Sequence, residues 1–207
     1  MWGVNRRTGT RARVESAALR LVADEPLDDV TVTALASDAG VTRETFYRHY
    51  SGVADALARA LEAELQIIVD DNSALPATSV TNDSVFRAPT AQLVRHMDAR
   101  RIVYRHAMNP RLHPQLHDLL TRYVHVGLQR HLEQHPEIAP RIRDAAPTAF
   151  GRRALSAYAA AGTVGVLEEW LMSDEPHDPG LLVDEILAAA PEWWQGVARP
   201  PLTSSRG

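Results

Sequence analysis

Apolar residues recur at helical spacing along most of this chain, and the runs break at Pro, Gly and Asn. A first helix is predicted over residues 10–23, with Val14, Ala17, Ala18, Leu21 and Val22 on one side. Residues 24–30 read as a turn. Thr31 suits the N-cap of a short helix through Ala39, Gly40 suits a tight turn, and Thr42 caps a third short helix reaching about Tyr50. A longer helix is expected over residues 53–69, then a loop over residues 70–91 rich in Asp, Asn, Ser, Thr and Pro. Further helices are expected over residues 90–108, 114–135, 150–172 and 179–196, and residues 199–207 read as a disordered tail. Beyond Val30-Thr31-Val32 there is little strand signal. The chain reads as all-α.

The segment from Thr31 to Tyr50, TVTALASDAGVTRETFYRHY, holds two short capped helices joined by a glycine turn. Leu35, Ala36 and Ala39 should face inward from the first, and Val41, Phe46 and Tyr50 from the turn and the second. Small Ala36 and Ala39 let the helices cross closely. That is a helix-turn-helix, whose second helix is free to enter a major groove. Glu44, Thr45, Tyr47 and Arg48 lie around its outward face, offering donors and acceptors suited to base edges and phosphates. The plainer reading of that face is an ordinary solvated one. On the same wheel Arg43 falls nearer the buried side.

Composition narrows the chemistry. Apolar residues are 45% and charged residues 23% of the chain, ordinary for a globular protein. With no cysteine, disulfides, thiolate metal sites and cysteine nucleophiles are excluded. All 22 basic residues are arginine, so a P-loop lysine and Schiff-base chemistry are excluded too. The net charge of −4 does not advertise nucleic acid, and residues 1–50 balance seven Arg against seven acids. The distribution says more: the first thirteen residues carry four Arg, Arg6 and Arg7 among them, and no acid. Such an arm meets phosphates, or is a solvated tail. No apolar leader segment is evident, and the weakly polar stretch over residues 154–167 is too short for a membrane span, so a cytoplasmic protein with no membrane partner is expected.

Residues 11–57 resemble the DNA-binding domain of the TetR family of bacterial transcription regulators. The resemblance rests on Ala17-Ala18-x-x-Leu21, Thr31-Val32-x-x-Leu35-Ala36-x-x-Ala39-Gly40-Val41 and Thr45-Phe46-Tyr47-x-His49-Tyr50, closing with Ala56-Leu57. It implies that Arg43, Glu44 and Thr45 sit at the base-reading end of the recognition helix. Tyr47 and His49 would then hold phosphates, with Thr33 and Thr42 nearby, and Arg48 would reach base or phosphate. It also implies a basic arm and helix-turn-helix domain over residues 1–52 and a helical regulatory and dimerisation domain over residues 53–198. The function implied is that of a repressor binding a palindromic operator as a dimer and released by a small molecule. An adaptor of the same fold, working through protein contacts without a specific operator, is the alternative. One departure stands out: Val53 occupies a position where the family commonly has a phosphate-binding lysine.

Later in the chain, Leu93, Met97, Tyr104, Met108, Leu116, Leu120 and Tyr123 recur at helical spacing. By the resemblance this region surrounds an effector pocket; plain core packing is the other reading. His96, Arg101 and Arg105 could greet an anionic ligand or face water. His113/His117 and His131/His135 have the four-residue spacing of helical metal ligands, but one pair straddles Pro114 and the other lacks the Glu of a zinc-protease helix, so no metal is expected. No nucleophile elbow, phosphate loop or acid pair points to an enzyme, and no cofactor is expected.

From Leu155 to Leu167 no residue is charged. Ala160, Val164, Leu167 and Leu171 form one stripe of this helix, and Leu155, Tyr158, Gly162 and Val166 another. A helix apolar nearly all round is buried on two faces. One face would meet its own subunit and the other a second copy, with Ile186 and Trp193 of the last helix joining the interface; by the resemblance, two such helices from each subunit form a four-helix bundle.

Overall fold

A computed structural model describes residues 3–73, 86–134, 139, 145–174 and 178–190, with no side-chain detail for residues 3–8, 69–73 and 134. Among the described residues the chain forms nine helices: α1 (Gly3–Asp24), α2 (Val32–Asp38), α3 (Arg43–Tyr47), α4 (Val53–Ser73), α5 (Arg87–Ala99), α6 (Arg101–His106), α7 (Pro114–Gln134), α8 (Ala149–Met172) and α9 (Pro179–Ala189). None is long and apolar enough to cross a membrane.

The caps fall where the polar residues direct them. The Thr31 side chain accepts from the Ala34 N–H, and the Thr148 side chain from the Gly151 N–H at the start of α8. Asp178 does the same for Gly180, followed at once by Pro179, which needs no donor there. Asp55 reaches back to the Ser51 N–H (2.9 Å) before α4. Burial works against its charge, but bonds from Ser51 and Arg59 outweigh it and hold the carboxyl below its ordinary value.

Several boundaries differ from expectation. α1 begins at Gly3 rather than residue 10, because no proline interrupts the arginine-rich arm and arginine is a good helix former. α3 stops at Tyr47, with Arg48 as its C-cap. Val30-Thr31-Val32 forms no strand; Thr31 turns the chain into α2 instead.

The helix expected over residues 90–108 is two helices, broken at Arg100 (φ −111°, ψ 18°) with neither Gly nor Pro to mark it. Neighbouring arginines pull apart there. Arg100 Nε and Nη2 donate to Glu64 of α4 (3.1 and 2.5 Å), while Arg101 Nη2 donates to the carbonyls of Trp170 and Ser173 at the end of α8 (3.0 and 3.1 Å). The Arg101 guanidinium also lies over the Trp170 ring, 4.2 Å from its centroid.

The buried side chains form one continuous cluster from Val14 to Leu187. α4 carries it from the N-terminal helices into the rest of the molecule through Leu57, Leu61 and Leu65, each at most 1% exposed. α7 packs on both α4 and α8, and α9 on α5.

Candidate nucleic-acid interface and regulatory face

Gly40 takes the left-handed conformation (φ +62°) between α2 and α3, and the Val41 N–H bonds to the Ala36 carbonyl across the turn (2.9 Å). Thr42 caps α3: its Oγ1 accepts from the Thr45 N–H (3.1 Å) and donates to Thr45 Oγ1 (2.9 Å). Phe46 is wholly buried, and its ring lies 5.4 Å from that of Tyr50. The Tyr50 hydroxyl donates to Glu15 Oε1 of α1 (2.9 Å). Burial first, and then that bond to a carboxylate, push the Tyr50 pKa well up.

With its inner face so fastened, α3 turns the other face to solvent. Thr33, Thr42, Arg43, Glu44, Tyr47 and Arg48 are exposed, and Thr45 and His49 half-buried. Arg43 is therefore freer than the helical wheel implied, because it occupies the first position of α3, beyond the reach of the core. One feature went unread in the sequence: Arg48 Nη2 donates to Glu44 Oε1 (3.0 Å). Four-residue spacing of opposite charges was the available signal. Arg6 and Arg7 lie in the first turns of α1, and their side chains fall outside the described residues.

Residues 16–60 match the family model for bacterial regulatory proteins of the tetR family. The chain carries the DNA-binding domain of the TetR family. Solved TetR-type regulators share its fold over nearly the whole length. The Thermus thermophilus transcriptional repressor FadR, crystallised with lauroyl-CoA, aligns with a TM-score of 0.68 at 16% identity, over 95% of this chain and 100% of that one. RolR in complex with resorcinol aligns at 0.62 and 19%, over 95% and 96%. The dihydroxyacetone kinase operon activator DhaS aligns at 0.58 and 14%, over 86% and 92%. No curated protein sequence matches the chain.

The helical region that follows is closely packed. Leu93, Met97, Tyr104, Leu116 and Leu120 are at most 3% exposed and belong to the core, with Met108 and Tyr123 packed against it. Within this apolar region sits one short polar chain. The Tyr104 hydroxyl lies 3.1 Å from His96 Nε2, and His96 Nδ1 lies 3.6 Å from the Glu64 carboxylate that Arg100 holds. Burial raises the pKa of Tyr104 and lowers that of His96. Of the three groups suited to an anion, His96 is thus buried beside Tyr104, Arg101 holds the α8 carbonyls, and Arg105 pairs with Asp174 (2.7 Å).

A cavity of about 500 Å³ lies where the α1–α2 turn meets the α6–α7 corner, lined by Pro26–Asp29 and His106–Asn109 among others. His117 Nδ1 lies 2.9 Å from buried Glu168, and the His131 ring packs on Phe86 at 4.5 Å; His135 falls outside the described residues.

On α8, Ala160, Val164, Leu167 and Leu171 are wholly buried in the protomer. Tyr158 and Phe150 stand 73% and 72% exposed, beside a largely apolar cavity of about 490 Å³ that Leu155 also lines. Gly162 is exposed and Val166 half-buried. Ile186 needs correcting as an interface residue: it is 3% exposed, because α9 turns its apolar face onto α5 of the same protomer. Leu181, 50% exposed, is the outward apolar residue of α9, and Trp193 falls outside the described residues.

Proposed function

We propose that this protein is a dimeric transcriptional repressor that holds a palindromic operator until a small molecule releases it. The observation that carries the reading is the outward face of α3. Thr42, Arg43, Glu44, Tyr47 and Arg48 stand in solvent there, on a helix whose other face is pinned by Phe46 and by the Tyr50–Glu15 bond. A face so rich in donors and acceptors suits a major groove, and arginines from the start of α1 suit phosphates.

One helix-turn-helix covers only a half-site, so reading a palindrome calls for two copies. The α8 face bearing Phe150 and Tyr158 supports the pairing, since exposed apolar surface of this kind marks an interface. Release by a ligand is supported by the fold, which the relatives crystallised with lauroyl-CoA and resorcinol share. With His96, Arg101 and Arg105 all engaged, the core region favours an uncharged effector over an anion.

A mobility-shift assay on the DNA upstream of the gene, with salt varied, tests the reading. A saturable shift that outcompetes scrambled duplex is expected, together with a steep fall in affinity as salt rises. No preference over scrambled DNA would favour an adaptor working through protein contacts. A reporter driven by the same DNA decides the sign of regulation, for which the activator DhaS is a reminder that the fold serves both.

A further inference from the structure

We propose that Glu44 selects one base of each half-site by accepting a hydrogen bond from the exocyclic amino group of cytosine in the major groove, and that Arg48 positions it. The inference rests on α3 being the helix that enters the groove.

Glu44 lies in the first turn of α3 and its side chain is 85% exposed. Its one charged partner in the described structure is Arg48, one turn on and itself 63% exposed, at 3.0 Å. An exposed pair at this spacing contributes little to stability. The fold does not need it: α3 is already held by the Thr42 cap, buried Phe46 and Tyr50 on Glu15.

A carboxylate is acceptor-only. Carried towards DNA, it is repelled by phosphates and by guanine N7 and O6 and thymine O4, all of which are acceptors. The major groove offers it two donors, cytosine N4 and adenine N6. Adenine N6 adjoins the acceptor N7, a pairing that suits an amide; cytosine N4 suits a carboxylate. Arg48 lowers the cost of bringing that charge up to the duplex. It holds Oε1 and so fixes the direction of the other oxygen, and a guanidinium with five N–H donors has several left for the DNA. Glu44 is the specificity-determining residue and Arg48 its positioning residue.

The test uses the full-length protein and a duplex that wild type selects from a randomised library, together with the set in which each base pair of the half-site is replaced. Affinities are read by fluorescence anisotropy for wild type, Glu44→Ala, Glu44→Gln, Arg48→Ala and Arg48→Lys. Wild type should discriminate roughly tenfold or more at one C·G pair per half-site. Glu44→Ala should abolish that discrimination and leave the other positions alone, and Glu44→Gln should move the preference at that pair towards A·T. Arg48→Ala should weaken discrimination at the same pair as well as overall affinity, and Arg48→Lys should restore part of it. Both side chains are exposed, so the variants should fold; melting curves superimposable on wild type verify this. If Glu44→Ala and Glu44→Gln keep the wild-type ranking of every duplex, Glu44 reads no base and the inference fails while operator binding stands. If Arg48→Ala weakens all duplexes by one common factor, Arg48 is a phosphate contact and its positioning role fails. If wild type prefers no duplex, the function proposed above falls, and this inference with it.

Discussion

His106 donates through Nδ1 to the carbonyl oxygen of Val22, 2.8 Å away. Val22 belongs to the last turn of α1, whose carbonyls have no partners within the helix; His106 ends α6. The bond is returned: the Leu27 N–H donates to the His106 carbonyl (2.9 Å), and Asn109 Nδ2 donates to Asp28 (2.8 Å). The helix-turn-helix unit is thus fastened to the rest of the molecule at the α6–α7 corner as well as through α4.

Truncating the imidazole should loosen that joint. His106→Ala is expected to cost about 1 kcal/mol, the worth of a typical hydrogen bond, since Leu27 keeps its own bond to the backbone. Urea unfolding measures it, and a midpoint equal to wild type would mean that water replaces the ring at no cost.

His96 makes stability depend on pH. Burial works against its charged form; Glu64 opposes this and Arg100 adds to it, leaving the pKa below its ordinary value. The unfolded chain takes up this proton near pH 6.5, the folded chain only at lower pH. The contribution is therefore complete above about pH 6.5 and is lost as pH falls through the folded pKa. His96→Gln, which keeps a polar group beside Tyr104, should flatten the decline in urea midpoint between roughly pH 7 and pH 5. Parallel pH profiles for the two proteins would show that His96 does not titrate there.

Arg43 stands exposed at the first position of α3, free to reach forward. Arg43→Ala should cost about 1–3 kcal/mol of operator binding and relax the preference at one base pair per half-site. Binding to a panel of operator variants checks this; discrimination as sharp as wild type would assign Arg43 to phosphates.

Gly162 offers a clean test of the α8 face, because a Cβ built there meets nothing within 4 Å. Gly162→Arg should accordingly leave the protomer folded while placing a charge where a second copy would pack. Sedimentation at micromolar concentration should then find a dimeric wild type and a monomeric variant. A dimeric variant would place the contact elsewhere, and a monomeric wild type would sink the dimer and the palindromic operator with it.

The helix-turn-helix was legible residue by residue. Thr31, Gly40 and Thr42 act on backbone within three or four positions of themselves, and the apolar spacing of Leu35, Ala36, Phe46 and Tyr50 is a local periodicity. Neighbours along the chain were enough to specify it.

What only the tertiary structure decided lies wherever a residue's partner is distant in sequence. Arg100 breaks a helix because Glu64, thirty-six residues earlier, draws it one way while the end of α8 draws Arg101 the other. His106 caps a helix that ended more than eighty residues before it. Nothing in the local pattern of charge or hydrophobicity encodes these pairings, since each side chain could as well have faced water. They exist because folding the core around α4 brings the two ends of each pair within bonding distance, and burial then makes an unpaired polar group costly.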